Sequence, residues 1–250
     1  MGEMRGKLSS TACLYALLLL FFIWYVLAAL FKLPFIPSPI SVVLNTVDIF
    51  LSQMVIHAGY SLWRIFAGIL LSVVIGVPVG LCMGYFSSWD RLLSPLIYFV
   101  YPIPKIALMP VIMLLFGLGE GAKITMITLI VVFQVAVTAR DAAKGIPKET
   151  YHTLYSLGAG NGDIFRRAVI PASLPGILSA LRVSLATSLS VLFFTETFGT
   201  RFGMGYFIMD AWMRVNYVDM FSGILVLSCM GFLLFFALDL AESILCRWKT

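Results

Sequence analysis

The sequence predicts an all-α protein, a polytopic bundle of about six helices crossing a lipid bilayer. Three observations predict it. The chain is 61% hydrophobic and only 12% charged over 250 residues, too little polar surface to cover a water-soluble body of that length. Its mean hydropathy is +1.01. Its apolar residues fall in long unbroken runs, unlike the short alternating segments of a transmembrane barrel strand. Backbone polar groups cannot stay unpaired in hydrocarbon, so such runs are helices.

A crossing helix needs roughly 20 apolar residues. The first run, Leu14–Phe31, lacks a small-residue cleavage pattern behind it and reads as a retained signal anchor. The second, Ile65–Phe86, carries no charge. The third, Leu92–Gly119, is interrupted by Lys105 and by Pro102, Pro104 and Pro110. The fourth is Ile124–Ala139, and the fifth follows Pro171 to about Thr195 with Arg182 inside it. The sixth is Met220–Leu238, with Asp219 placed as its N-cap.

The bias of Lys and Arg orients these spans. With the N-terminus inside, the cytoplasmic parts hold Arg5, Lys7, Arg91, Arg140, Lys144, Lys148, Arg166, Arg167, Arg247 and Lys249. The outer parts hold only Lys32, Lys123, Arg201 and Arg214. Both termini are therefore expected in the cytoplasm of a cell-membrane protein. The net charge of +5 and pI near 9.1 reflect this asymmetry and do not indicate nucleic acid.

Two connections are longer than turns. Residues 32–58 open on a proline-rich stretch and continue as an amphipathic segment from Ser41 to about Ile56, which either lies along the membrane surface or packs on the spans. Residues 140–171 form the one sizeable polar block, where a cytoplasmic partner would dock. The chain divides into residues 1–57, an N-terminal span with its external segment, and residues 58–245, the main bundle. Cys13, Cys82, Cys229 and Cys246 show no CxxC or zinc spacing, and His57 and His152 stand apart from other ligand types. No metal or cofactor is expected.

The polar block reads IPKETYHTLYSLGAGNGDIFRRAVIPASLP from Ile146. Lys148–Leu157 suits a short helix carrying Glu149. Gly158 can take the positive φ that ends a helix, with Ala159 after it. Gly160 begins a second short helix with Asp163 near its positive end, and Pro171 and Pro175 fix the entry to the fifth span. The result is a helix–glycine–helix knuckle.

This knuckle resembles the EAA loop of ABC-importer permeases. Gly158 and Ile170–Pro171 hold the loop's glycine and Leu-Pro positions, while His152, Thr153 and Leu154 occupy the Glu-Ala-Ala positions. The segment from Ser61 resembles the second span of the nitrate, sulfonate, taurine and bicarbonate subgroup. Tyr101–Lys123 resembles its proline-rich third span, and Glu196, Gly199, Gly203 and Gly205 match its Glu-x-x-Gly-x-x-x-Gly-x-Gly segment. The resemblance covers about residues 58–245. It implies a type I importer fold in which two permease copies, expected as a homodimer, form the pathway. It also implies two cytoplasmic ATP-binding subunits that receive the knuckles as coupling helices, and an extracytoplasmic solute-binding protein.

The chain itself contains no GxxxxGK[ST] phosphate loop. The nearest approach, Gly2–Leu8, has no hydroxyl after its lysine, and Gly158-x-Gly160-x-Gly162 follows no strand. ATP is thus expected on a partner, and this chain is not an enzyme. Pro102 and Pro104 break helical hydrogen bonding, which is tolerated only against protein or a water-filled cavity, so they and Lys105 are candidates for the pathway. Of the ionisable residues within spans, Arg64 and Glu196 lie near the outer ends, where Glu196 either pairs or joins the pathway, and Lys105 is best placed to meet an anion. Gly76, Gly80 and Gly84 clear one helix face for close packing, either on another helix of the chain or on a second copy. The leading function is an importer permease for a small, anionic solute. A self-sufficient secondary transporter or channel is the alternative, and no inverted repeat supports it. A membrane enzyme would need a motif such as HExxH or GxSxG, which the chain lacks.

Overall fold

The computed structural model describes residues 10–31 and 33–247, except the side chains of residues 10, 11, 13 and 14. Arg5, Lys7, Lys32, Lys249, the Gly2–Leu8 stretch and the side chains of Cys13 and Leu14 lie outside the described residues. The described part is helical and contains no strand. Its helices are α1 (Ser10–Phe31), α2 (Pro39–Ile49), α3 (Val55–Tyr85), α4 (Ser87–Val100), α5 (Met109–Phe116), α6 (Glu120–Lys144), α7 (Lys148–Ser156), α8 (Asn161–Ile164), α9 (Ile170–Glu196), α10 (Met204–Met213) and α11 (Tyr217–Leu245).

Among the described residues, four helical runs are long and apolar enough to cross a bilayer: Pro39–Tyr85, Glu120–Lys144, Asn161–Glu196 and Tyr217–Leu245. A fifth is made by α4 and Lys105–Phe116 if that pair, bent by 80°, is one span. A further apolar helix, Tyr15–Phe31 within α1, falls on the first expected span but is shorter, so four or five of the six expected spans are long enough to cross. Its Trp24 stacks on Phe221 of α11.

Two expected boundaries move. The segment after residue 38 is helical and runs through a π-helical turn at Phe50–Met54 into α3, so residues 39–85 form one helix of 47 residues. At 1.5 Å per residue that is about 70 Å, well beyond the hydrocarbon core. Ser38 starts it as N-cap, its Oγ accepting from Ser41 N at 3.1 Å, with Pro39 at the first helical position. Its first part packs on the spans: Asn45 Nδ2 donates to Asp219 Oδ1 at 2.8 Å and to Ser222 Oγ at 3.1 Å. The fifth span likewise starts earlier than Pro171. Helix α8, a π-helical turn at Phe165–Val169 and α9 run on as one helix of 36 residues. Pro171 lies inside this run, at the start of its α9 section and directly after the π-helical turn.

The N-cap of α11 is also corrected. Asn216, not Asp219, caps it, its side chain accepting from Asp219 N. Asp219 sits one turn in and accepts from Asn216 Nδ2 at 2.6 Å.

The centre of the bundle is α3 against α6, with α9 closing the third side. Glycines make the first contact possible. A Cβ on Gly76 would lie 2.8 Å from Val132 O, on Gly80 2.2 Å from Ala136 O, and on Gly84 2.5 Å from Ala143 Cβ. This glycine face therefore seats α3 on a helix of the same chain. Around it Ile65, Met126, Ile127, Val131, Val135 and Leu192 are buried. Outward apolar side chains such as Leu114 and Leu20 are exposed, as expected where the solvent is hydrocarbon.

Candidate functional site

One end of the bundle carries the knuckle. Helix α6 stops at Gly145, and α7 begins three residues later behind Pro147. Tyr151 and Leu154 are half-buried, whereas Glu149, His152 and Thr153 are exposed. The helix ends where Gly158 adopts φ +82. Gly158 N then donates to Tyr155 O at 2.9 Å and Ala159 N to Leu154 O at 3.1 Å, the paired bonds of a Schellman end.

The knuckle is rigidly founded. Tyr155 OH donates to Asn161 Oδ1 at 2.8 Å, and Tyr85 OH from the end of α3 donates to the same oxygen at 3.2 Å. The Tyr85 ring also meets Tyr151 and Phe165 at centroid distances of 5.9 and 5.7 Å. Burial raises the Tyr151 phenol above its ordinary pKa, with Tyr155 adding to the shift, so it serves as a neutral donor to Ala143 O. Between α7 and the start of α9 lies a shallow groove of about 520 Å³, lined by Thr150, Thr153, Leu154, Arg167 and Pro171 among others.

Midway up the bundle the chain breaks at residues 101–104, between α4 and the 3₁₀ turn Lys105–Leu108. Pro102 and Pro104 supply no N–H here. Lys105 answers part of the deficit: its Nζ donates to Tyr101 O at 3.0 Å and to Val100 O at 3.4 Å. It also lies over the rings of Tyr101 and Phe133, at 5.4 and 5.0 Å.

The opposite end is tied by a buried ion-pair node. Arg64 on α3 donates from Nη1 to Glu196 Oε1 at 2.6 Å and to Phe202 O at 2.8 Å. Its Nε and Nη2 form a fork on the Glu120 carboxylate at 2.7 and 2.5 Å. Ser61 Oγ donates to Glu196 at 2.8 Å and accepts from Met204 N at 2.8 Å. Gly205 N completes the shell at 2.8 Å from Glu196 Oε2. A buried charge left unpaired is costly, so the node is folded around fully satisfied partners. Its glycines are dictated by space. Gly203 has φ +135, and a Cβ there would lie 2.4 Å from Glu196 Cδ; on Gly205 one would lie 2.7 Å from Phe193 O.

Comparison with known proteins now decides the family. Residues 68–249 match the model of the binding-protein-dependent transport system inner membrane component. The chain belongs to that family. It is 30% identical over 233 residues to the formylaminopyrimidine transport permease protein ThiX of Halalkalibacterium halodurans, covering 93% of each chain. It is 30% identical to the taurine transport system permease protein TauC of Escherichia coli, over 77% of this chain and 70% of that one. To the putative aliphatic sulfonates transport permease protein SsuC of Bacillus subtilis it is 28% identical, over 91% and 83%. Among solved structures, inward-facing MetNI methionine ABC transporter has the same fold, with TM-score 0.67 and 22% identity over 76% of this chain and 94% of that one.

This inner membrane component is thus a type I ABC importer permease, a transport subunit of a system whose ATP hydrolysis lies in separate subunits. In it, Glu149, His152, Thr153, Leu154, Gly158, Ala159 and Pro171 gather at the knuckle end, with Thr153, Leu154 and Pro171 sharing one groove. Pro102, Pro104 and Lys105 gather at the break. Glu196 stands apart from them, enclosed in the node with 0% exposure. The permease holds two further charges that hydropathy does not single out. Glu120 precedes an apolar run, and it is the second carboxylate on Arg64. Lys123 reads as an outer charge, yet it is 1% exposed, its Nζ donating to Leu118 O at 2.6 Å. Both lie in the first turn of α6, Lys123 buried and Glu120 part-exposed against Arg64.

Proposed function

We propose that this permease forms, with a second identical copy, the pathway of an importer for a small anionic solute, and that its knuckle is the coupling helix. The carrying observation is the knuckle: an exposed helix braced by Tyr85, Tyr151 and Asn161 onto the ends of α3, α6 and α9. A push on α7 therefore reaches three spans at once. Two cytoplasmic ATP-binding subunits receive the knuckles, and their closure on ATP switches the paired permeases from inward- to outward-facing. An extracytoplasmic solute-binding protein delivers the solute at the node end. Residues 58–245 act as the permease unit, with residues 1–57 as its N-terminal addition.

The orientation puts both termini and the knuckle in the cytoplasm. Arg91, Arg140, Lys144, Lys148, Arg166 and Arg167 all cluster at the knuckle end, which supports it. Cysteines introduced at Ser156 and Arg201 test it: a membrane-impermeant thiol reagent applied to intact cells should label the Arg201 site alone.

The solute reading rests on cations along the pathway and on the relatives named for taurine and sulfonates. A second reading, a neutral aminopyrimidine, is favoured by the relative named for formylaminopyrimidine, which covers 93% of both chains. Scrambling residues 148–167 tests the coupling. If ATPase subunits still assemble and drive transport, the proposal fails.

A further inference from the structure

We infer that the cleft between α4 and α6 is a binding site for a small organic anion with an aromatic or short apolar body, held at the knuckle end by Arg91 and Arg140. This deepens the importer reading and rests on it. The cleft measures about 1010 Å³ and is lined by Arg91, Ser94, Tyr98, Tyr101, Pro102 and Arg140, among others.

Four features carry the inference. One wall is the broken backbone at Tyr101 and Pro102. Such a break in a helix is tolerated only against protein or a water-filled cavity, so the cleft opens onto water or is covered by protein. The mouth is cationic. Asp90, the one acidic residue of the lining, is already held by Lys144 at 2.6 Å and Ser94 at 2.7 Å. Arg91 makes no ion pair among the described residues, and Arg140 extends Nη1 to within 3.4 Å of Ser94 Oγ while its other edge rests on Asp141. The walls carry phenol rings, Tyr98 being 77% and Tyr101 49% exposed, which offer aromatic faces and hydroxyl donors. Finally, Lys105 is committed to the carbonyls of Val100 and Tyr101, and Arg140 already holds Asp141 through Nε and Nη2, which leaves the Arg91 guanidinium and the Nη1 side of Arg140 to meet an anion. A guanidinium takes a carboxylate or sulfonate through two parallel N–H bonds. At the inner mouth, such a site holds the solute between passage and release.

The test uses the purified permease–ATPase complex in phosphatidylcholine nanodiscs, with benzenesulfonate as probe in calorimetric titration. Saturable binding is expected, about tenfold weaker in Arg91→Gln/Arg140→Gln and largely retained in Arg91→Lys/Arg140→Lys. Benzamide, the neutral counterpart, should bind about as weakly as the glutamine variant allows. Equal affinity in the glutamine variant, equal affinity for benzamide, or displacement of the probe by phosphatidylglycerol at trace fraction would each overturn the inference. ATP-dependent uptake by the same complex reports separately on the importer reading. If uptake needs ATP while the probe ignores the arginines, the importer stands and this site falls.

Discussion

Arg64 Nη1 and Glu196 Oε1 lie 2.6 Å apart, and their side chains are 1% and 0% exposed. The pair joins α3 to the end of α9, and the chain from Phe202 to Gly205 folds over it. Its second carboxylate, Glu120, is 41% exposed, so the two acids contribute unequally. Removing Arg64 leaves a buried carboxylate unpaired, at a cost of about 3–5 kcal/mol. Arg64→Leu should therefore sharply lower the thermal unfolding temperature in detergent. Glu120→Gln should cost about 1 kcal/mol or less, because water replaces its partner. The reverse order in a melting assay would contradict the node.

Gly80 and Gly59 lie on the same helix in opposite circumstances. A Cβ on Gly80 would meet Ala136 O at 2.2 Å, whereas nothing lies within 4 Å of one on Gly59. Gly80→Val should force α3 off α6 and cost about 1–3 kcal/mol or more, visible as loss of monodisperse protein on size-exclusion chromatography. Gly59→Ala should be neutral or slightly stabilising through helix propensity. Equal behaviour of the two would rule out the seating of α3 on α6.

At the knuckle, Gly158 combines φ +82 with open space around its Cβ position. The penalty for a side chain there is conformational, about 1–2 kcal/mol for an ordinary residue and less for Asn. Gly158→Val should shift the equilibrium of the α7 end and reduce transport per ATP hydrolysed, while Gly158→Asn retains most of it. The ratio of uptake to phosphate release in proteoliposomes measures this directly.

Lys105 bridges the break between α4 and α5. Lys105→Met strips the Tyr101 carbonyl of its donor, worth about 1–3 kcal/mol if it stays dry, and leaves the Val100 carbonyl with Ile103 N alone. The variant should fold less stably and transport more slowly, and Lys105→Arg should recover part of both. A Lys105→Met protein with wild-type melting and uptake would show that water already serves the Tyr101 carbonyl.

Helix α11 starts at Asn216, which also holds Asp219 at 2.6 Å. Asn216→Ala should destabilise by about 1 kcal/mol, and Asn45→Ala on the partner helix should weaken the same corner. Protection of the Asp219 amide in hydrogen exchange is the sensitive readout, and unchanged protection in both variants would refute the cap.

Much of this architecture was legible in the chain itself. Ile65–Phe86, Ile124–Ala139 and Met220–Leu238 announce spans because lipid admits only self-satisfied helices, a demand written in composition. The knuckle's glycine at 158 was legible because a positive φ restricts residue choice. Ends of elements were less so. The segment after Pro39 and the short helix after Gly160 are legible as elements apart from their spans, and packing on α11 or α3 joins each to its span as one continuous helix.

What tertiary structure alone decided is which charges meet. Composition establishes that Arg64, Glu120, Lys123 and Glu196 are expensive near hydrocarbon, but pairing depends on where three helices and one glycine-rich loop end in space. Arg64 and Glu196 are separated by 132 positions, and no local pattern spans that distance. Periodicity is a property of neighbours along the chain, whereas an ion pair is a property of neighbours in space. The helical character of the spans follows from the first, and the node and the cleft from the second.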